Sequence, residues 1–346
     1  MKLVDLLIEG GFASSLTQNT ALTPNVVEEC VVIYNRFVVD FNKYLSNKSM
    51  PNVKAGTPVG SSKYYKKDLQ SNPKKEYGDV DMLFYIPKME ELSDNKNKTL
   101  YYKEIEAFTE GRDDIKSTGE NFIIVKLKNG EYAQIDLVSA YWEDRDWIEG
   151  RMTPEYGTKG AVGGYMYSAL AEVLNLTMGG HSGAQMKIKG GKPVKFTTPK
   201  YDELLTVSRS IKTFGLDICR KYFELAGEDP KKMKVSDSLR KNPGVNPKDM
   251  KNSDIALTIK AIGDTLELND LFGNGALSHL SSKEDYMEKI RTVYEQKMKK
   301  AIESSKFDKA YQAGEIGAKK ADKAKETLRQ GMEKALQYLS EHIYSI

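Results

Sequence analysis

The chain is poor in the residues that build cysteine- or histidine-based sites. Its 346 residues contain two cysteines, Cys30 and Cys219, which form no CxxC pair, and three widely spaced histidines. This pattern suggests neither a zinc site nor a disulfide framework. A reducing, cytoplasmic setting is therefore expected.

Long apolar runs are also missing. No segment approaches the ~20 consecutive apolar residues that a membrane-spanning helix needs. The first residues, MKLVDLLIEGGF, carry two early acids and no small-residue cleavage site, so we interpret them as a helix rather than a signal peptide. We expect no membrane partner.

Net charge is small, at +3, but it is distributed unevenly. Residues 181–260 contain 17 Lys/Arg and 9 Asp/Glu, a net charge of 17 − 9 = +8. Such an excess is typical of a surface that contacts nucleic-acid phosphates. A solvated helical surface is the alternative interpretation.

The first 150 residues alternate between helical and strand patterns. Apolar side chains recur at helical spacing after Pro24, over residues 24–46, and residues 100–110 have a similar pattern. Between these helices, the run DVDMLFYIP (79–87) is apolar and aromatic, which predicts a buried strand.

Two hairpins are expected at glycine-containing turns. Asn129-Gly130 separates the β-rich runs 121–128 and 131–141, which predicts a type I′ turn. Gly190-Gly191 divides a second run of the same kind. We therefore predict an α+β fold with a mixed, mostly antiparallel sheet.

The remaining chain is mostly helical in pattern. Helices are predicted for residues 200–226, 254–268 and 283–342, the last broken near Gly314–Gly317, and a basic loop for 228–252. The predicted organisation is a first domain (1–150), a helix-plus-hairpin α/β segment (151–200) and a helical C-terminal region (201–346).

Three aspartates carry the chemistry of the first domain. Asp79 and Asp81 are two residues apart at the start of the predicted strand, so they share one face. Asp136 lies in a second apolar strand, where an unpaired carboxylate is unfavourable. Divalent ions would compensate all three charges, and hard oxygen ligands suit Mg²⁺ (or Mn²⁺). Three carboxylates can hold two ions about 3.5–4 Å apart.

A turn with exposed backbone N–H groups precedes these acids. Gly60-Ser61-Ser62 lies just before a predicted helix, and such a turn binds phosphate oxygens. Lys63, Lys66 and Lys67 add positive charge nearby. The sequence therefore predicts a phosphate-binding turn beside a metal site.

This order of motifs resembles the DNA polymerase β-like nucleotidyltransferase superfamily, which includes family X polymerases and CCA-adding enzymes. The matching stretches are Val59-Gly60-Ser61-Ser62, Gly78-Asp79-Val80-Asp81-Met82-Leu83-Phe84 and Ala133-Gln134-Ile135-Asp136-Leu137-Val138. A further similarity to the thumb-proximal part of family X polymerases runs from Lys159 to Leu204. The interval from Gly60 to Asp79 is longer than in that pattern, with the extra residues at Gln70–Lys75.

The resemblance implies a nucleotidyltransferase palm over residues 1–150 and a role for each matching residue. Gly60 and Ser61 would contact the triphosphate of a nucleoside triphosphate. Asp79 and Asp81 would bind two metal ions, and Asp136 would bind the catalytic ion and help activate the acceptor hydroxyl.

Additional triphosphate contacts are expected from Ser62 and Lys63 in the turn, and from Arg209 and Lys212 in the helical region. The spacing of the last two resembles an Arg-x-x-Lys helix of CCA-adding enzymes. A solvated helix face is the alternative interpretation for them.

Three functions are compatible with these residues. The favoured one is transfer of a nucleoside monophosphate to the 3′ end of RNA or DNA, because of the basic segment 181–260. The second is an adenylyltransferase that modifies a small molecule or a protein. The third is a non-enzymatic binding module that retained the fold.

Overall fold

A computed structural model describes residues 20–117, 120–155, 160–179, 183–195, 197–246, 251–303 and 318–343. The helix expected at the N-terminus and the break expected near Gly314–Gly317 lie outside these residues. The chain divides into two units, Met1–Arg145 and Asp146–Ile346. The segments 151–200 and 201–346, which we expected as separate regions, belong to the same unit.

The first unit contains three helices and a five-stranded sheet within its described residues. The elements are α1 (Pro24–Asn47), β1 (Lys54–Val59), α2 (Tyr65–Ser71), β2 (Asp81–Tyr85), α3 (Asp94–Thr109), β3 (Ile115–Lys116), β4 (Phe122–Lys126) and β5 (Tyr132–Ala140). The helices expected at 24–46 and 100–110 are thus confirmed, and the second begins earlier than its apolar pattern indicated.

The sheet has the strand order β1-β2-β5-β4-β3. Strands β2 and β5 are parallel, and the other three neighbouring pairs are antiparallel. An α+β fold with a mixed, mostly antiparallel sheet is therefore confirmed. The parallel pair is central, and its two strands are joined through α3, β3 and β4.

One face of this sheet forms the core of the first unit. Alternate residues of the central strands, such as Met82 in β2 and Leu137 in β5, are buried against side chains of α1 such as Tyr34 and Phe41. The Tyr34 hydroxyl donates a hydrogen bond of 2.6 Å to the Leu83 carbonyl, so the helix is also tied to β2 by a polar contact. Because side chains alternate along a strand, the residues between the core positions point to the opposite face.

The two predicted hairpins form with different turns. Strands β4 and β5 pair up to Lys126 and Tyr132, but only Gly130 of the Asn129-Gly130 pair has positive φ, at 87°. A type I′ turn needs positive φ at both central residues, so the type I′ prediction is wrong here. The Gly130 amide donates to the Leu127 carbonyl, which places Lys128 and Asn129 at the centre of a type I turn followed by a glycine bulge.

The second unit combines a small sheet with helices. Its elements are α4 (Arg145–Arg151), α5 (Gly160–Val173), β6 (Leu176–Gly179), β7 (Gly183–Lys189), β8 (Lys192–Val194), β9 (Glu203–Ser208), α6 (Phe214–Leu225), α7 (Asp237–Lys241), α8 (Asn252–Leu268), α9 (Lys283–Glu303) and α10 (Ala318–Ile343). Strand β7 is central, since it pairs with β6 and β8 along one edge and with β9 along the other. Gly190 and Gly191 both have positive φ and join β7 to β8, as predicted for a hairpin.

The helix predicted for residues 200–226 is wrong in its first half. Residues 203–208 form strand β9, and the helix begins only at Phe214. The β-branched residues Thr206 and Val207 favour a strand. Pairing with β7 satisfies the backbone groups along one edge of this segment, so its strand conformation depends on that neighbour.

The middle of the second unit agrees with two of the sequence expectations. Helix α8 confirms the helix predicted at 254–268, and the basic loop 228–252 contains only short helical segments within its described residues. Cys30 and Cys219 are both buried free thiols. Among the residues that the structure describes, every helix is too short or too polar to span a lipid bilayer.

A buried carboxylate fixes the loop between α2 and β2. Asp68 is fully buried, and its Oδ2 accepts hydrogen bonds from Lys75 Nζ at 2.6 Å and from the Tyr77 hydroxyl at 2.5 Å. These contacts hold Lys75 and Tyr77, which follow α2, against the helix that carries Asp68. They constrain the chain just before Asp79.

We predict that Asp68→Ala lowers the free energy of unfolding by about 3 kcal/mol, because it removes the acceptor for a buried hydroxyl and a half-buried ammonium group. Urea denaturation measures this change. Asp113→Ala, at an exposed position of the same unit, is the control and should change stability by less than about 0.5 kcal/mol. Equal effects of the two substitutions would contradict the structural role of Asp68.

Candidate active site

Strand pairing brings two of the predicted acids together. Asp81, the first residue of β2, is the direct neighbour of Asp136 on the parallel strand β5. Both alternate with core residues, Met82 and Leu137, so both carboxylates project from the opposite face of the sheet. Asp79 lies two residues before the strand begins.

The three carboxylates form a cluster on that face. Asp79, Asp81 and Asp136 each offer an oxygen, and these oxygens all lie within 4.8 Å of one another. All three side chains are half-buried. The cluster is therefore both compact and open to a ligand.

Burial and neighbouring charges both disfavour the ionised form of these carboxylates. Burial, followed by the charges of Asp79 and Asp136, raises the pKa of Asp81 from 3.8 to about 8. Burial also raises the pKa of Asp136, although the hydrogen bond from Gln134 acts in the opposite direction. No lysine or arginine in the described part of the chain forms an ion pair with Asp81 or Asp136. A bound cation would neutralise the charges of these two carboxylates.

The donor set fits a divalent metal ion. Carboxylate oxygens are the ligands that Mg²⁺ and Mn²⁺ prefer. A cation between them would favour the charged carboxylates, and so act against the burial and the neighbouring charges that together raise the pKa of Asp81. A site for thiophilic metals is not indicated, because neither of the two cysteines lies in the cluster.

Gln134 orients the third acid. Its Nε2 donates a hydrogen bond of 2.6 Å to Asp136 Oδ1, and its own Oε1 is buried with no hydrogen-bond partner in the described part of the chain. The remaining oxygen, Asp136 Oδ2, is available to a ligand. The sequence contained the signal for this contact, because Gln134 and Asp136 are two residues apart on one strand and share a face.

The turn at Gly60 lies against the cluster. Gly60 has φ of +61°, and a Cβ atom at this position would lie 2.4 Å from Asp81 Oδ2. A five-residue 3-10 helix, Gly60–Tyr64, follows and leads into α2. The turn before a helix was predicted, and its closeness to Asp81 explains why a residue with a side chain does not fit.

The predicted phosphate ligands of this turn differ in exposure. Ser61 is exposed and Lys63 is half-buried. Their expected contacts with a triphosphate remain predictions. Ser62 is fully buried, and its hydroxyl donates a hydrogen bond of 2.9 Å to the Val59 carbonyl. Its side chain therefore stabilises the turn instead of reaching a phosphate.

Arg209 and Lys212 were expected on a helix, but neither lies on one. Arg209 directly follows strand β9, and Lys212 lies in the turn before α6. Lys212 Nζ is 3.3 Å from Asp146 Oδ2. Both residues belong to the second unit, so their contact with a nucleotide bound by the first unit remains a prediction.

Comparisons with known proteins give no relative for this chain. No protein-family model matches it, and no curated protein and no solved structure shows a significant similarity to it. The functional argument therefore rests on the residues and geometry of the site.

We predict that Gly60→Ala weakens Mn²⁺ binding strongly, because the added Cβ would displace the Asp81 carboxylate and the positive φ would be strained by about 1–2 kcal/mol. Calorimetric titration with Mn²⁺ measures the affinity. Gly78→Ala is a matched control, since a Cβ there meets no atom within 4 Å. Unchanged Mn²⁺ affinity in Gly60→Ala would contradict the geometry.

We also predict that the metal-free protein loses stability as pH rises. The pKa of Asp81 is raised from 3.8 to about 8, so between these values the folded chain binds a proton that the unfolded chain has lost. The associated stability is fully present below the lower value and is lost as pH approaches the upper one. Denaturant titrations in EDTA at about pH 5 and about pH 8.5 measure the loss.

Replacing the titrating group tests its assignment. Asp81→Asn should reduce the loss of stability with pH, and saturating Mg²⁺ should reduce it in the unmodified protein. An identical pH dependence in Asp81→Asn and in the unmodified protein would assign the effect to other groups.

Proposed function

We propose that the chain is a metal-dependent nucleotidyltransferase with a palm of the DNA polymerase β-like type. The observation that carries this proposal is the convergence of Asp79, Asp81 and Asp136, whose oxygens lie within 4.8 Å of one another. The glycine turn at Gly60 against Asp81 supports it, because a phosphate chain bound by that turn would begin beside the acids. The central parallel pair β2–β5 in an otherwise antiparallel sheet agrees with such a palm.

The reaction is attack of an acceptor hydroxyl on the α-phosphate of a nucleoside triphosphate, with release of pyrophosphate. Two bound Mg²⁺ ions would supply charge neutralisation and hydroxyl activation. Little covalent chemistry is required of the protein in a reaction of this kind, since positioning and electrostatics provide most of the acceleration.

Each residue of the site has a separate task in this proposal. Asp79 and Asp81 hold the ions, and Gly60 and Ser61 bind phosphate oxygens with their backbone N–H groups. Asp136, held by Gln134 at Oδ1, presents Oδ2 to the catalytic ion and to the hydroxyl that attacks.

For the acceptor we propose the 3′ end of a nucleic acid. The net charge of residues 181–260 is +8, and lysines on both sides of the β7–β8 turn, Lys189 and Lys192, are exposed. An exposed basic surface of this kind neutralises backbone phosphates and provides sequence-independent affinity.

The test is transfer of labelled nucleotide. Incubation with each α-labelled NTP or dNTP, Mg²⁺ or Mn²⁺, and tRNA or a DNA primer should extend the strand. Asp136→Asn should lower the rate by about a thousandfold, because it removes a metal ligand from a transition state that depends on charge neutralisation. Asp113→Asn changes an exposed acid of the same unit and should leave the rate unaltered.

The distribution of the label separates the alternatives. Label on a small molecule or on protein, with strands unchanged, would identify an adenylyltransferase instead. Binding of nucleic acid without metal and without any transfer would indicate a non-enzymatic binding module. Full activity in Asp136→Asn would contradict the proposed site whatever the acceptor.

A further inference from the structure

The second unit contains a cavity that the proposed reaction does not use. Its volume is about 440 Å³, within the roughly 300–1,000 Å³ range of small-molecule sites. The polar and charged part of its wall includes Arg151, Ser168, Glu172, Thr177, Lys195 and Lys297. These residues come from α4, α5, β6, the segment after β8, and α9.

Arg151 is the unusual member of this wall. Its Nη2 donates a hydrogen bond of 3.2 Å to the Met178 carbonyl, and its guanidinium carbon lies 4.9 Å from the centroid of the Tyr167 ring. Its Nε and Nη1 atoms are buried and have no hydrogen-bond partner among the residues that the structure describes. A buried cation is unfavourable unless an anion or a set of acceptors compensates it.

The neighbouring groups do not supply that compensation. Tyr167 is fully buried, and burial raises the pKa of its phenol well above the ordinary range, so it stays neutral. Among the described residues, no carboxylate forms an ion pair with Arg151. Burial accordingly lowers the pKa of Arg151. An anion inside the cavity would provide the missing countercharge.

The rest of the wall also favours an anion. The charged lining residues are Arg151, Lys195 and Lys297 against Glu172, a net charge of 3 − 1 = +2. Glu172 is already engaged, since its Oε2 lies 2.7 Å from Lys297 Nζ. Lys195 is exposed at this wall, and Ser168 and Thr177 add hydroxyl donors.

We propose that this cavity binds the phosphate group of a phosphomonoester, either a free nucleotide-sized molecule or the phosphorylated end of an oligonucleotide. Lysine and arginine together with hydroxyl donors are the groups that recognise phosphate oxygens. The aliphatic part of the wall, at Leu176 and Met178, would contact the organic part of the ligand. The site does not depend on the proposed catalysis, because all its residues belong to the second unit.

The test is phosphate binding by the full chain in EDTA, which keeps metal-bound phosphate at the aspartate cluster out of the measurement. Calorimetry and thermal unfolding are followed with inorganic phosphate, a nucleoside 5′-monophosphate, and a short oligoribonucleotide with and without a 5′-phosphate. Chloride at matched ionic strength is the reference. We expect stabilisation by the phosphomonoesters beyond that of chloride.

Two substitutions localise the binding. Lys195→Met and Arg151→Met should each weaken phosphomonoester affinity by about tenfold or more. Arg220→Met is the control, since it removes one exposed cation of the same unit outside the cavity and should leave the affinity unchanged. Without ligand, Arg151→Met should unfold at the same temperature or a higher one, because it removes an uncompensated buried charge.

The outcomes separate the sources of the phosphate. Tighter binding of the monophosphate than of the oligonucleotide indicates a small ligand, and a requirement for the 5′-phosphate of the oligonucleotide indicates a nucleic-acid end. Stabilisation no greater than that by chloride, or unchanged affinity in Lys195→Met and Arg151→Met, would overturn the proposal. If Arg151→Met fails to fold, the exposed Lys195 variant decides. If the chain shows no nucleotidyl transfer, the proposed function fails, but these binding measurements still decide whether the cavity binds phosphate.

Discussion

The first unit must hold like-charged carboxylates together on paired strands, and the rest of its structure depends on this constraint. Asp81 and Asp136 are direct neighbours in a parallel ladder, and Asp79 adds a third charge to the same face. A sheet does not keep three like charges together without support. Here the opposite face of the same strands is packed against α1, and this packing holds the register that brings the acids together.

The register also explains how a few neighbouring residues shape the site. Gln134 is fixed to Asp136 by strand periodicity, and Gly60 follows the last residue of β1, which is paired with Asp81. The same ladder therefore sets the position of the Gly60 turn and of the acids. A one-residue slip of β2 would move both Asp81 and its core neighbours to the wrong faces.

Much of the first unit was predictable from sequence because its signals are periodic and local. Helix α1, the buried strand β2 and the β4–β5 hairpin follow from apolar spacing and a glycine turn. The type of that turn was not predictable from Asn129-Gly130 alone, since loop length decides it. In the second unit, residues 203–208 were assigned to a helix because their strand character depends on a partner edge that is distant in sequence.

Site residues divide in the same way. The three aspartates and Gly60 were recognised from motif and strand position, and the contact from Gln134 was readable from its spacing. The buried acceptor Asp68 carried no sequence signal, because its partners Lys75 and Tyr77 lie in a loop of irregular conformation. The burial of Arg151 was equally hidden, since it results from the packing of several elements.

The parallel pairing of β2 and β5 has a consequence for how the chain reaches its native state. The paired acids are separated by 136 − 81 = 55 residues, so their contact closes a long loop, whereas the β4–β5 hairpin forms between near neighbours. Loop closure of this length carries an entropic cost that local contacts do not. The hairpin is therefore expected to form early, and the acidic cluster to assemble late, when β5 docks beside β2 and the like charges first approach. Cations in solution would then act on the last stage of folding as well as on the finished protein.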